Sequence, residues 1–392
     1  MKKTLLTICL VWMCFSLSAQ KIIDLSGKWS FSIDRQDNGE KEKWFSHTLN
    51  DFINLPGSMP EKQKGDEVTA KTQWTGSLYD SSYYYNPYME KYRKEGNIKF
   101  PFFLTPDKHY VGAAWYQKEV NIPADWKGER ILLFLERPHI ETTVWVNGQK
   151  TGMQNSLCVP HQYDITRYVR PGKCTITIRV DNRIKEINVG PDSHSITDQT
   201  QGNWNGIVGR ICLQTTPKTY FDDIQIYPEP EQKLARVKVV IKGTGTAKVK
   251  LSAESFNTDK KHIVPAIQQE IKLNKGVTET EMVLPMGNDM LLWDEFHPAL
   301  YKLKAEVTNG KKTEIKEIQF GMRRFEIKGK WFYVNGRKTQ LRGTVENCDF
   351  PLTGYAPMDV ESWERVFRIC RSYGLNHMRF HSFCPPEAAF MA

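Results

Sequence analysis

The sequence predicts a mainly β protein, with β-sandwich domains over most of its length and the start of an α/β layer at its end. Two observations support this prediction. Apolar residues alternate with a period of two up to about residue 345, and after Leu341 the period becomes about 3.6. The 392 residues suggest two or three domains, and 40% hydrophobic with 25% charged residues is typical of globular proteins. Disordered, collagen-like and coiled-coil proteins are therefore excluded.

Residues 1–19 have the pattern of a secretory signal. Lys2 and Lys3 precede an apolar run from Leu5 to Phe15, and Ala19 is suitable for cleavage. The run is shorter than the roughly 18 apolar residues that a membrane helix needs, and no later stretch reaches that length. We therefore expect an exported protein, periplasmic or extracellular, with no membrane span.

Short strands separated by turns follow this segment. In one of them Ile176, Ile178 and Val180 alternate with polar residues, so that one face is available for burial. Asn-Gly pairs are the strongest short-range hairpin signal because both residues tolerate positive φ. Such pairs interrupt the runs at Asn147-Gly148, Asn309-Gly310 and Asn335-Gly336. Many short strands with turns at this spacing indicate sandwiches or partly closed barrels.

The composition changes near residue 220. From Asp223 to Phe320 the chain is rich in Lys, poor in aromatics and regular in its alternation. Its length of roughly 100 residues is that of one immunoglobulin-like sandwich. Pro228 and Pro230 indicate a stiff joint at its start.

The last part of the chain predicts a βα unit. Strands are predicted over Thr339–Thr344 and Asn376–His381, with a helix between them that Asp359 caps and Gly374 ends. The apolar positions of this helix are Val360, Trp363, Val366, Phe367, Cys370 and Tyr373. Pro385-Pro386-Glu387 resembles the start of another helix. Two parallel strands and one helix leave apolar faces uncovered, so we expect the chain to be a fragment.

Charge and cysteine content argue against two classes of partner. The net charge of +9 is spread along the chain without long basic runs, which disfavours a nucleic-acid partner. The cysteines after the signal are widely spaced and lack zinc-type pairs, so we expect no metal site and no cofactor. Free buried thiols are the favoured state of Cys174 and Cys370, although an exported chain can oxidise some of its cysteines.

Several sequence blocks, taken in order, are similar to glycoside hydrolase family 2. The resemblance as a whole extends from about residue 22 to the end of the chain. The blocks are Ala114-Trp115-Tyr116-Gln117-Lys118, Ile122-Pro123, Trp126, Gly128, Ile131 to Glu136, Val144-Trp145-Val146-Asn147-Gly148, Tyr163-Asp164-Ile165-Thr166, Pro171-Gly172, Trp204-Asn205-Gly206-Ile207, Leu292 to Tyr301, Phe320-Gly321-Met322-Arg323-Arg324, Val334-Asn335-Gly336 and Leu341-Arg342-Gly343.

The resemblance implies a domain order. It predicts a jelly-roll β-sandwich of the sugar-binding type over 20–219, an immunoglobulin-like β-sandwich over 220–326, and the first two strands of an incomplete (β/α)8 barrel over 327–392. A complete barrel takes roughly 250 residues.

The resemblance also implies the chemistry. Members of the family remove terminal β-linked sugars by a retaining mechanism, and their two catalytic glutamates lie on later barrel strands. We therefore expect no catalytic residue in this chain, and we expect the chain alone to be inactive. β-Galactosidase is the commonest activity of the family. β-Glucuronidase, β-mannosidase and glucosaminidase are the competing activities.

Five residues near the ends of the two predicted α/β strands are candidates for substrate binding. Arg379 and His381 close the second strand, and the family places the matching arginine in the floor of the active site. The alternative for Arg379 is a structural residue that ties two strands together. Glu346, Asn347 and Asp349 follow the first strand, where the family often has Asn-Arg-His. Glu346 and Asp349 are not a catalytic pair, because both lie on one loop after the same strand.

An aromatic-rich segment from Trp74 to Tyr92 is the remaining candidate. Trp74 and Tyr84 can stack on sugar rings, or the segment can be a surface loop that packs on itself. The tryptophans of the family blocks are predicted to be core residues: Trp115, Trp145, Trp204 and Trp293.

Two further functions stay open. The chain can be a non-catalytic carbohydrate-binding protein with a vestigial barrel remnant, or its sandwiches can have a purely structural role. The expected ligand is a glycan or oligosaccharide. The chain can also form a homo-oligomer.

Overall fold

The computed structural model describes residues 20–73, 75, 81–99, 106–185, 196 and 202–392. The predicted signal, 1–19, and Trp74 lie outside the described residues. The chain forms two compact units: one comprises Lys21–Thr216 together with Lys338–Ala392, and the other comprises Pro217–Arg337. No helix among the described residues is long and apolar enough to cross a membrane.

Strands dominate both units, so the prediction of a mainly β protein is confirmed. The strands are β1 Ile22–Asp24, β2 Gly27–Asp34, β3 Asp51–Leu55, β4 Gly57–Ser58, β5 Asp66–Glu67, β6 Lys108–His109, β7 Ala113–Ile122, β8 Arg130–Pro138, β9 Glu141–Val146, β10 Gln149–Asn155, β11 His161–Asp164, β12 Gly172–Asp181, β13 Gly206–Thr216, β14 Tyr220–Glu229, β15 Leu234–Phe256, β16 Ile263–Pro285, β17 Leu300–Asn309, β18 Lys312–Phe320, β19 Phe325–Lys328, β20 Trp331–Val334, β21 Arg337–Thr339, β22 Gly343–Glu346 and β23 His377–Phe380.

Helices are few and short in the part of the chain that the structure describes. They are α1 Ser82–Tyr85, α2 Val360–Ser372 and α3 Glu387–Met391, with 3-10 turns at Trp44–Ser46, Pro87–Tyr92, Ala124–Trp126 and Pro230–Gln232.

The first sandwich consists of two antiparallel sheets. One has the order β1-β13-β8-β11, with β4 paired to β13, and the other has the order β10-β9-β12-β7-β2-β3. Apolar side chains from both sheets form a continuous core between them. This is the two-sheet architecture that alternating strands predict.

Strand β12 differs from its prediction in one respect. Ile176, Ile178 and Val180 face the core as expected, but Thr177 and Arg179 on the opposite face are also buried. A second apolar cluster lies on this outer face, where Trp115 of β7 and Trp145 of β9 pack with Leu49, Trp44 and Phe45. The prediction of a single buried face was wrong because alternation does not reveal what covers the outer side of a sheet.

The predicted turns and core tryptophans are largely confirmed. Asn147 (φ 49°) and Gly148 (φ 76°) join β9 to β10, and Asn335 (φ 51°) and Gly336 (φ 77°) also adopt positive φ. Gly310 (φ 60°) lies in the connection from β17 to β18. Trp115, Trp145 and Trp204 are buried, whereas Trp293 is only half-buried.

The second unit is built around one long strand. The first half of β15 pairs with β14 and its second half pairs with β17, while β16 pairs along most of its length. The sheet folds back on itself, because the main-chain N–H of Phe221 on β14 donates to Glu314 on β18 at 2.6 Å, and Lys316 donates to the Phe221 carbonyl at 2.7 Å. Apolar residues of all these strands enclose one core.

The end of the chain forms the predicted βα unit. Strands β22 and β23 are parallel, and α2 lies between them in sequence. The Asp359 side chain accepts a hydrogen bond from Ser362 N–H at 2.7 Å, and Gly374 (φ 78°) follows the helix. The predicted cap and stop are therefore confirmed, and the incomplete barrel stays a prediction.

Two details of this unit differ from the sequence prediction. The first strand begins at Gly343 and not at Thr339, because the Asn376 side chain bonds Gln340 O at 3.1 Å and Arg342 N–H at 2.8 Å in place of a strand ladder. On α2, Trp363 is buried but Tyr373 is 82% exposed. The apolar face of the helix is thus wider than the surface that covers it.

Candidate functional site

The parallel pair β22 and β23 brings the predicted site residues to one edge. Val345 pairs with Arg379, Glu346 pairs with Phe380, and the N–H of His381 donates to the Glu346 carbonyl at 2.8 Å. The carboxyl ends of both strands therefore lie side by side. In α/β folds this edge is where ligands bind.

Arg379 points away from the helix. Met378 and Phe380 pack with Trp363 on the helix side, and successive side chains of a strand face opposite ways. The Arg379 side chain is exposed and has neither a hydrogen bond nor an ion pair with another described residue. Among the described residues it makes no contact that ties two strands together, and both the substrate-binding role and the structural role of Arg379 stay predictions.

The acidic residues of the first loop have different environments. Glu346 Oε1 accepts the N–H of Cys348 at 2.8 Å, so this carboxylate stabilises the turn of its own loop. Asp349 Oδ1 is buried and lacks a hydrogen-bond partner among the described residues. Burial raises the pKa of Asp349, and the nearby His381 acts in the opposite direction. Asn347 is exposed.

The segments after β22 and β23, residues 347–358 and 381–387, are called the strand-end loops below; the second ends at the first residue of α3. The first is fixed to the first sandwich by two side-chain contacts. Tyr355 Oη donates to Glu61 Oε2 at 2.9 Å, and Ser58 Oγ donates to the Thr353 carbonyl. Residues of β4 and the turn after it therefore position this loop.

The second strand-end loop is held by two arginines of the sandwich. Arg137 donates to the carbonyls of Cys384 at 2.7 Å and Pro385 at 3.2 Å. Arg210 pairs with Glu387 at 2.5 Å, at the start of α3. The sequence does not predict a role for either arginine. Each contacts a residue that lies roughly 180 positions or more further along the chain.

A cavity of about 80 Å³ lies between the sandwich and these loops, lined among others by Arg137, His139, Trp204, Tyr355 and Cys384. Ligand pockets are typically about 300–1,000 Å³, so this is a packing seam. Trp204 stacks on His139 with a centroid distance of 4.5 Å and lies 5.5 Å from Tyr355. The core position predicted for Trp204 is confirmed, and this core includes the α/β segment.

Asn205 and Gly206, which follow Trp204 in the same family block, hold segments of the first sandwich together. Asn205 Nδ2 donates to the carbonyls of Gly112 and Val180, both at 3.0 Å, and its Oδ1 accepts from Tyr116 Oη at 2.8 Å. Gly206 has φ 149°, and a Cβ there would lie 2.4 Å from the Gly57 carbonyl oxygen. The block therefore joins backbone segments of the sandwich.

The aromatic-rich segment packs on itself where it is described. Tyr84 is half-buried and meets the ring of buried Tyr83 edge-on at 5.0 Å. Tyr92 packs into the same cluster. This arrangement favours the alternative of a packed loop for Tyr84, whereas Tyr85 and Tyr88 expose 72% and 84% of their surface.

A second, larger cavity lies in the first sandwich. Its volume is about 830 Å³, and its lining includes Asp34, Arg35, Asp37, Asp66, Tyr110 and Arg183. Ion pairs hold part of this lining, with Arg35 to Asp66 at 2.7 Å and Arg183 to Asp37 at 2.6 Å. The size is that of a ligand pocket, and carboxylates beside an aromatic ring suit sugar hydroxyls. Sequence reasoning missed this cavity because its lining comes from separate strands and loops.

Comparison with known proteins gives family matches over most of the chain. Residues 22–217 match the family described as glycosyl hydrolases family 2, sugar binding domain, and residues 219–323 match glycosyl hydrolases family 2. A β-galactosidase of Thermoanaerobacter pseudethanolicus is 24% identical over 75% of this chain and 39% of its own length. A β-glucuronidase of Homo sapiens is 24% identical over 91% of this chain and 53% of its own length.

Solved structures share the fold. A β-glucuronidase from Ruminococcus gnavus in complex with a substituted uronic isofagomine superposes with a TM-score of 0.67 at 19% identity, over 95% of this chain and 58% of that one. The same enzyme in complex with D-glucuronic acid gives 0.66. The chain thus spans between about two fifths and somewhat over half the length of these relatives.

Proposed function

Because the chain belongs to glycoside hydrolase family 2, we propose that it is part of a retaining hydrolase that removes a terminal sugar from a β-linked glycan. One observation carries the proposal. Arg379 is exposed, has no ion pair or hydrogen bond with another described residue, and lies at the carboxyl-terminal edge of a parallel strand pair whose strand-end loops are fixed to the sandwich. The sandwich then supports the wall of the sugar pocket, and Arg379 with His381 forms part of its floor.

The retaining mechanism determines which catalytic carboxyl groups the hydrolase needs. One carboxyl group must protonate the leaving oxygen while a second, about 5 Å away, attacks the anomeric carbon. Glu346 and Asp349 follow the same strand, and Glu346 already accepts a hydrogen bond from its own loop. The acid/base and the nucleophile therefore belong to the part of the relatives' length that this chain does not span, and the 392-residue chain does not hydrolyse glycosides.

β-Galactosides are the first proposed substrates, and β-glucuronides are the competing class. Relatives with both names match this chain at the same 24% identity. A longer protein, expressed from a reading frame that continues beyond Ala392, tests which sugar is the substrate. It is assayed with nitrophenyl β-galactoside, β-glucuronide, β-mannoside and β-N-acetylglucosaminide. Turnover of one of them supports the proposal. A stop codon after Ala392, or a longer product inert on the whole panel, contradicts it.

The second candidate function is glycan binding without catalysis, and the 830 Å³ cavity favours it. In this case the 392-residue chain binds oligosaccharides on a glycan array. Asp66→Ala, which removes a lining carboxylate and its ion pair with Arg35, weakens that binding. Asp125→Ala, at an exposed ion pair with Lys21, is the matched control.

We also propose export. The basic residues and apolar run of 1–19 support it. The test is amino-terminal sequencing of the secreted product, which should begin at Gln20. A product that retains Met1 in the cytoplasm would contradict export.

A further inference from the structure

We propose that Cys158 and Cys384 form a disulfide that links the loop between β10 and β11 of the first sandwich to the second strand-end loop. The bond would lock together two segments that are far apart in sequence. It would hold the edge that carries Arg379 and His381 against the sandwich.

The two cysteines meet at one guanidinium group. Arg137 donates through Nη1 to the carbonyl of Cys384 at 2.7 Å and through Nη2 to the carbonyl of Cys158 at 3.4 Å. Both residues line the small cavity between the sandwich and the strand-end loops. Cys384 is among the groups that shift the pKa of the Cys158 thiol, so it lies in the immediate surroundings of that sulfur. The shared guanidinium and the shared cavity thus bring the two loops together at the residues that the disulfide would join.

The other described cysteines lack this arrangement. Cys174 and Cys212 are buried in the strands of the first sandwich, and Cys370 lies on α2. Cys348 lines the same cavity, but burial raises the pKa of its thiol to about 12, so it forms little of the thiolate that reacts. Cys158 is exposed and can meet an external oxidant.

Thiol–disulfide exchange provides a balanced route. The Cys158 thiolate attacks a small-molecule or protein disulfide, which forms a mixed disulfide and releases one thiolate. The Cys384 thiolate then attacks the Cys158 sulfur and releases the second. Two S–H bonds break, one S–S bond forms, and the oxidant takes two electrons and two protons to become two thiols.

Cys158 is exposed as a whole residue but also lines the cavity; partial burial of its thiol and the neighbouring Cys384 raise the pKa of Cys158, and the Arg137 charge acts in the opposite direction. We therefore expect the exchange to be faster at pH 8.5 than at pH 7. The bond would persist in an oxidising compartment, which the predicted signal of 1–19 provides. The disulfide does not depend on the proposed hydrolysis of glycosides, and no glycoside is needed to test it.

The test is peptide mapping of the full chain. The purified protein is incubated with oxidised glutathione, its remaining thiols are alkylated under denaturing conditions, and it is digested with trypsin without reductant. We expect the peptide that begins at Thr151 to be linked to the peptide that begins at Phe380, with the link lost after reduction. Alkylation of both cysteines, glutathione on Cys158 without the link, or a link from Cys158 to Cys348 would overturn the proposal.

Variants give a second measurement. Reduction should lower the Tm of the oxidised wild type by roughly 5–10 °C. Cys158→Ser and Cys384→Ser should both abolish this shift, and Cys370→Ser should retain it. A shift that survives in Cys158→Ser would contradict the assignment. If a Ser variant does not fold, the peptide map of the wild type still decides.

Discussion

Asp181 is the centre of the densest charge network in the first sandwich. Its side chain is fully buried and accepts contacts from Arg183 at 2.5 Å, Lys185 at 2.7 Å and Arg179 at 3.0 Å. Burial opposes ionisation, but hydrogen bonds from Arg183 and Lys185 hold the pKa of Asp181 well below its usual range. This carboxylate is therefore charged at neutral pH, and it compensates the buried Arg179.

Asp181→Ala should lower the free energy of unfolding by about 3–5 kcal/mol, because it leaves the buried Arg179 without its nearest buried counter-charge. Urea unfolding followed by circular dichroism measures the change. Asp125→Ala, at an exposed ion pair, should leave the urea unfolding curve close to that of the wild type. Equal effects of the two substitutions would contradict this account of the network.

Two buried histidines predict acid sensitivity. Burial lowers the pKa of His139 to about 3 and that of His161 to about 4. In the unfolded chain both titrate near 6.5, so below that pH the unfolded state binds more protons and stability falls as the pH decreases. We expect the free energy of unfolding to drop by about 2–4 kcal/mol from pH 7 to pH 5.

Urea unfolding at a series of pH values measures this drop. His139→Gln keeps a group that can hydrogen-bond to Asn203 but does not titrate, so it should reduce the slope by about half. An unchanged slope in this variant, or stability that is constant between pH 5 and 7, would contradict the role of the histidines.

Arg379→Ala in a longer, active product should lower kcat/KM by about 10–100-fold, the loss expected for hydrogen bonds to a charged group. Circular dichroism should show an unchanged fold, because Arg379 makes no described hydrogen bond or ion pair. Arg379→Lys should recover only part of the activity, since lysine lacks the bidentate fork. Arg365→Ala, on the exposed surface of α2, is the control. Wild-type kinetics for Arg379→Ala would remove this residue from the site.

At the scale of elements, the sequence predicts what depends on local rules. The Asn147-Gly148 turn and the Asp359 cap are set by φ preferences and nearby hydrogen bonds, and both are observed. What it misses depends on distant partners. The outer face of the sheet that contains β12 is covered by Trp44, Phe45 and Leu49, and the residues before Gly343 bond to the Asn376 side chain.

The candidate site shows the same division. The parallel pairing of β22 and β23 follows from the βα pattern, and it places Arg379 and His381 beside Glu346 as expected. The contacts of Arg137 and Arg210 with the second strand-end loop have no local signal. Long-range hydrogen bonds of this kind need the assembled fold before they can be recognised.

Strands β13 and β4 approach each other closely at Gly206. Its Cβ position lies 2.4 Å from the Gly57 carbonyl oxygen, so Gly206→Ala must push β13 away from β4. We expect a loss of about 1–3 kcal/mol or more in the free energy of unfolding. Gly128→Ala, in an open turn with φ 85°, tests backbone strain without the clash and should cost about 1 kcal/mol. A Gly206→Ala variant as stable as Gly128→Ala would contradict the close approach.

At the scale of the whole molecule, the first sandwich and the α/β segment form one compact unit although residues 217–337 separate them in sequence. The contacts of Glu61, Arg137 and Arg210 with the strand-end loops connect the two parts. The sandwich is thus a support for the candidate sugar-binding edge. These contacts hold the strand-end loops beside the edge that carries Arg379.

The most direct test of the proposed role is a side-by-side assay of the 392-residue chain and a longer product that continues beyond Ala392. Nitrophenol release from β-galactoside and β-glucuronide substrates is measured at equal concentrations of folded protein. We expect turnover by the longer product and none above background by the 392-residue chain, because retention needs two carboxyl groups that flank the bond. Hydrolysis by the 392-residue chain itself would contradict the account.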